Sequence, residues 1–155
     1  MNIQHYCDPV SLEKPANFHL SDKAIFCRNI SIHTPGNPVL DLDPFNLAII
    51  GVPEDRNAIV QGSAASPDQI RNQLYQLYRL NPSLKIIDLG NLKCGNTVQD
   101  TYFALRDVLL ELIENKITVI ILGGSQDLTY GMYLAFEKLD RKFSFATIDS
   151  RLDMG

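Results

Sequence analysis

Leu47-Ala48-Ile49-Ile50-Gly51-Val52 is an uninterrupted apolar run that ends beside Pro53. Uncharged, short and bounded by turn residues, it reads as a strand buried on both faces. The same punctuation recurs downstream. Lys85–Leu89 closes at Gly90, Ile117–Leu122 closes at Gly123-Gly124, and Phe143–Ile148 closes at Asp149. Helical stripes lie between these runs. Ser66-Pro67-Asp68-Gln69 has the form of a capping box with proline at N1, followed by Ile70, Leu74 and Leu77, and the helix is expected to stop before Asn81-Pro82. Thr97-Val98-Gln99-Asp100 is a second N-cap signal, leading Tyr102, Leu105, Leu109, Leu112 and Ile113 to about Asn115. A third helix follows Asp127 with Leu128, Met132, Ala135 and Phe136. Strands alternating with helices predict an α/β fold, a three-layer doubly wound sandwich around a mainly parallel sheet. Residues 1–45 hold Pro9, Pro15, Pro35, Pro38 and Pro44 and all three histidines, His5, His19 and His33. They read as an irregular arm with one short strand around Ala24–Ile32, leaving 46–155 as the α/β domain.

The chain has 155 residues, 45% of them hydrophobic and 21% charged, which suits one domain with a core and argues against wholesale disorder. Eighteen acidic against 14 basic residues, a net charge of −4, disfavours binding that works by neutralising phosphates. Cys7, Cys27 and Cys94 are an odd number with no C-x-x-C spacing, so neither a disulfide framework nor a zinc ribbon is expected. They fall outside the strand-end positions and read as structural. The start, Met1-Asn2-Ile3-Gln4-His5-Tyr6, has no basic and apolar leader, and no apolar run is long enough to cross a bilayer. The expectation is a reduced, cytoplasmic protein with neither nucleic acid nor membrane as partner.

In open sheets of this kind, ligands bind beyond the carboxyl ends of the strands. Those ends read Pro53-Glu54-Asp55-Arg56, Gly123-Gly124-Ser125-Gln126-Asp127 and Asp149-Ser150-Arg151-Leu152-Asp153. Carboxylates at Asp149 and Asp153 suit hard divalent cations such as Mn²⁺ or Mg²⁺. They equally suit a turn cap and a solvated charge. Gly123-Gly124 permits a sharp turn and close approach to a ligand. Neither G-x-G-x-x-G, nor a P-loop, nor a G-x-S-x-G elbow is present, which counts against dinucleotide, P-loop and serine-hydrolase chemistry.

At these strand ends the sequence resembles the ureohydrolase superfamily of arginase, agmatinase and formimidoylglutamase. The resemblance rests on Ile49-Ile50-Gly51-Val52-Pro53, Gly62, Ser66-Pro67 and Ile70-Arg71, then Ile121-Leu122-Gly123-Gly124, then Asp149-Ser150-Arg151-Leu152-Asp153, in the family's order. It covers about 47–155, roughly the first half of a family member. It implies an arginase-like fold and hydrolysis of guanidino or formimino C–N bonds by a hydroxide held on two Mn²⁺ ions. The long arm and the Gly-Gly-Ser-Gln-Asp-Leu-Thr string lean toward formimidoylglutamase. The family's ligands would fall at positions 126, 149, 151 and 153, with two further aspartates from a later strand. Here Gln126 and Arg151 stand where the family has histidine, so Asp149 and Asp153 are vestigial ligands at best. An amide oxygen is a weak stand-in for imidazole, and guanidinium does not ligate. No cofactor is therefore expected in this chain, although intact members hold Mn²⁺, and turnover by this chain alone is not expected.

Gly123, Gly124 and Asp127 are expected to line the crevice, which remains compatible with a small-molecule ligand. The alternative is a metal-free binding or assembly domain that kept the fold. In the family the third and fourth strands are not neighbours, so an exposed edge is expected here. That edge points to a homo-oligomer or to the remainder of a longer chain as partner. With no metal, Arg151 is expected to pair with Asp149 or Asp153, with Gln126 hydrogen-bonding in the same crevice.

Overall fold

The computed structural model describes residues 3–11, 25–39, 41–78, 81, 83–140 and 142–149. Five strands form one sheet: β1 (Cys7–Asp8), β2 (Ser31–Ile32), β3 (Leu47–Gly51), β4 (Ile86–Leu92) and β5 (Thr118–Leu122). Among the described residues the α-helices are α1 (Ser66–Leu74), α2 (Val98–Glu114) and α3 (Leu128–Lys138). β3 is central, parallel to β4 on one side and to β5 on the other. Its Ala48, Ile49 and Ile50 are fully buried, as the uncharged run requires. The far edge of β4 is shared. β2 pairs with it in parallel at Ile87 and Asp88, and β1 antiparallel at Asn91 and Leu92. Segments of the proline-rich arm thus cover that edge, and β1 has no periodic signal of its own in the sequence.

The sheet carries helices on both faces. α2 and α3 pack on one, where Leu105, Val108, Leu109, Leu112, Leu128 and Ala135 join Ala48, Ile50, Ile87 and Leu89. On the other, Leu74 of α1 packs against Ile49, Ile86 and Leu122. α2 opens as expected. Thr97 accepts from the Asp100 amide and Asp100 accepts from the Thr97 amide, a complete capping box.

α1 departs from expectation in three ways. It ends at Leu74, well short of Asn81. Ser66 does not cap it, because a 3₁₀ turn over Ser63–Ala65 already brings the chain into helical dihedrals, and a cap needs an extended residue. The Ser66 hydroxyl instead donates to the Gly123 carbonyl. Of the apolar stripe only Leu74 packs inward, while Ile70 and Leu77 are exposed and Pro67 and Arg71 are buried. The inward place is taken by a fully satisfied guanidinium, described below.

The predicted fourth strand is corrected too. Residues 142–149 form no strand, and Phe143, Phe145 and Ile148 are exposed. A strand exists only when its backbone groups have a partner. Among the described residues, the pairing partner of β5 is β3.

Candidate functional site

The carboxyl ends of β3, β4 and β5 converge with the N-terminus of α2. Glu54, just past β3, is 1% exposed and fixes this corner. Its carboxylate accepts from Arg56 Nε at 2.9 Å and Nη2 at 2.5 Å, and from Thr101 Oγ1 at 3.0 Å. The rest of the Arg56 fork donates to the carbonyls of Gly95 and Asn96 at 3.0 and 2.8 Å, tying the β3 loop to the turn before α2. Asp55 accepts from the amides of Gly62 (2.6 Å) and Ala64 (3.1 Å), closing a loop whose tip exposes Ile59 and Val60.

The β5 end locks onto the same corner. The Ser125 amide donates to the Glu54 carbonyl at 2.9 Å, and the Ser125 hydroxyl lies 3.1 Å from the same oxygen. Gly124 is required there, since a Cβ would sit 2.0 Å from that carbonyl oxygen. Asp127 accepts from Ser125 Oγ and from Tyr102 Oη, while Asn57 Nδ2 donates to Tyr102 Oη at 3.0 Å. Burial weighs most on Asp127 and raises its pKa, but the hydrogen bonds from Ser125, Tyr102 and Asn57 hold it below the ordinary value.

Gln126 Nε2 donates to Asp149 Oδ2 at 3.3 Å, which brings two of the expected positions together. Gly123, Gly124 and Asp127 lie at the same corner. Arg151 and Asp153 lie outside the described residues, and with them the expected ion pair. Cys94 is a correction. It sits just beyond β4, its thiol donating to the Pro53 carbonyl at 3.3 Å, so it borders the strand ends. Burial and then the Glu54 charge push its pKa up, which makes it a poor nucleophile at neutral pH.

The expectations based on strand ends did not reach Thr101, Tyr102 and Asn57. Thr101 and Tyr102 look in the sequence like ordinary helix residues. The Thr97 cap was the available signal, because it brings the first turn of α2 to the carboxyl edge.

The hydrogen bonds from Arg56 hold Glu54 down at about 2, against the cost of burial and with help from Thr101. A depressed carboxylate stabilises the fold fully above its unfolded pKa of 4.5 and loses that contribution as pH falls toward 2. Acid titration of the denaturation midpoint should therefore show a fall between these values that Glu54→Gln flattens. An unchanged acid slope in the variant would refute the role given to Glu54.

An open, mainly parallel α/β sheet with helices on both faces defines a doubly wound domain. Within that class the chain belongs to the arginase family, whose sequence profile matches residues 45–155. The formimidoylglutamase of Lysinibacillus sphaericus is 32% identical over 127 residues, covering 76% of this chain and 39% of the relative. That of Geobacillus sp. is 29% identical over 104 residues, 64% of this chain and 32% of the relative. A Trypanosoma cruzi formiminoglutamase solved with Mn²⁺ matches with a TM-score of 0.60 at 20% identity, over 66% of this chain and 38% of that one. The chain thus spans about a third to two fifths of the length of these relatives. No helix among the described residues is long and apolar enough to cross a membrane.

Proposed function

We propose that this chain forms the N-terminal, crevice-building part of a formimidoylglutamase-like protein, and that it does not by itself carry manganese-dependent hydrolysis. The observation that carries the reading is Gln126. Its amide nitrogen donates to Asp149 Oδ2, where the family resemblance calls for an imidazole lone pair. An N–H donor offers a cation nothing on that atom, and Arg151 brings a permanent positive charge to the second histidine position. Among the described residues no three His, Cys, Asp or Glu side chains are grouped to hold a metal ion. The donor set does not fit a dinuclear manganese site, so no hydrolytic step is derived through one.

The internal use of the crevice carboxylates favours a second reading, a metal-free binding or assembly domain. Glu54 is held by Arg56 and Thr101, Asp55 by two amides, and Asp127 by Ser125 and Tyr102. The purified chain, dialysed against Mn²⁺ and then against buffer, should retain well under one equivalent of manganese by elemental analysis. It should release no formamide from N-formimino-L-glutamate above the buffer rate. About two equivalents, with release proportional to protein, would overturn the proposal.

A further inference from the structure

We infer that residues 3–10 form a strap latched on His33, which opens from β4 without unfolding the domain and sets how firmly the strand-end corner is held. The inference concerns the geometry of that corner and stands whether or not the crevice takes a metal.

The latch belongs to the other piece of the arm. His33 follows β2 and is 6% exposed. Its amide donates to the Asp88 carbonyl at 2.8 Å, and its imidazole Nδ1 donates to the Leu89 carbonyl at 3.0 Å. These two bonds fix it on the outer edge of β4. Its own carbonyl then accepts from the Val10 amide at 2.9 Å, where the strap ends. β1 supplies only the pairs Cys7 with Leu92 and Asp8 with Asn91, a ladder shorter than strands usually are. The ion pair beside it, Lys93 with Asp8 at 3.9 Å, is exposed and adds little. Packing keeps the strap closed, through buried Ile3, Cys7 and Val10.

Two observations set the strap apart from the domain. The arginase-family profile begins at residue 45, so the strap lies outside the matched unit. Its sheet pairing is also confined to Asn91 and Leu92, whereas β3 and β5 pair from Leu47–Thr118 through to Gly51–Leu122. The seat is nevertheless built for it. Gly90 has a φ of +85°, and a Cβ there would lie 2.0 Å from the Asp8 carbonyl oxygen.

The strap meets the crevice through one turn. The Lys93 amide donates to the Tyr6 carbonyl at 2.8 Å, and Lys93 Nζ donates to the His5 carbonyl at 3.2 Å. The next residues make the corner. The Cys94 thiol donates to the Pro53 carbonyl, and the Gly95 amide donates to Thr101 Oγ1 at 3.0 Å. The carbonyls of Gly95 and Asn96 hold Arg56, which in turn holds Glu54. A closed strap clamps this turn, and an open one frees it while β3 and β5 stay paired.

The test follows amide exchange and N-ethylmaleimide labelling of the full chain. Cys7 is 2% exposed, and burial pushes its thiol up to about 12, so it reacts only when the strap is open. In the native chain, Cys7 labelling and the Val10 and Lys93 amides should report one opening equilibrium. It should be about tenfold or more larger than that of the β3 ladder. Val10→Pro deletes only the N–H that reaches His33. It should speed Cys7 labelling and exchange at Lys93 and Gly95 by about tenfold, with β3 amides unchanged. Opening of Cys7 and Lys93 only together with β3, or by two different equilibria, would overturn the strap in the native chain alone. So would a Val10→Pro chain that loses β3 protection or leaves Cys7 and Lys93 unchanged. Faster Lys93 exchange with an unchanged Gly95 would overturn the link to the corner.

Discussion

Replacing Arg71 with methionine should cost about 3–5 kcal/mol of folding stability, the range for removing one partner of a buried ion pair. Arg71 and Asp88 are both 0% exposed. Nε and Nη2 of Arg71 reach the two Asp88 oxygens at 2.9 Å each, and Nη2 also donates to the Gly90 carbonyl at 2.8 Å. Nη1 donates to Asp68 at 3.0 Å and Asn91 at 2.5 Å, so all five N–H donors are used. Tyr75 Oη and the Gly90 amide complete the shell of Asp88, at 2.7 and 2.9 Å. Methionine fills similar space but leaves Asp88 without its counter-charge inside the sheet. Lysine keeps the charge with three donors for five acceptor sites, so it should fall between methionine and the native residue. Urea denaturation of the three proteins checks this. A methionine variant within about 1 kcal/mol of the native chain would mean that the network adds little.

Gly124→Ala should destabilise by about 1–3 kcal/mol, while Gly123→Ala should stay within about 0.5 kcal/mol of the native chain. The two glycines are adjacent, and their surroundings differ. A Cβ on Gly124 meets the backbone O, C and N of Glu54 at 2.0, 2.8 and 2.9 Å, none of which can rotate away. A Cβ on Gly123 meets only Leu128 Cδ1 at 4.0 Å. Relief of the Gly124 clash requires the β5 turn to move off the β3 loop, which breaks the Ser125 amide bond to the Glu54 carbonyl. Thermal melts of the pair measure the contrast. Equal losses at both positions would show that the close approach at Gly124 is not what the turn depends on.

Much of the fold was legible in the sequence because it rests on local pattern. The run Leu47–Val52 has no charge to place in water, so it had to be central, and β3 lies between two parallel partners. Thr97 and Asp100 satisfy each other's amides across one turn, so the start of α2 needed no distant residue to define it. That the ends of β3, β4 and β5 share one edge was legible from the alternation alone, since right-handed crossovers put successive strand ends together. Asp88 also left a trace, as a charge inside Ile86-Ile87-Asp88-Leu89 that could only be buried with a partner.

What the chain order could not supply was the identity of partners far apart in sequence. The spacing of Ile70, Leu74 and Leu77 promised an inward apolar stripe, yet only Leu74 packs inward, and Arg71 is buried beside it because Asp88 lies beneath. Ser66 has the sequence of a cap and bonds to Gly123, a residue brought close only when β3 and β5 pair. Phe143–Ile148 has the composition of a strand and forms none, because strand formation is decided by a neighbouring backbone and not by composition. The sequence alone therefore determined the elements whose signals close within a turn or a run, together with the family they resemble. Tertiary structure decided which faces turn inward and where the buried charges pair. Those outcomes depend on contacts between residues that local pattern cannot bring together.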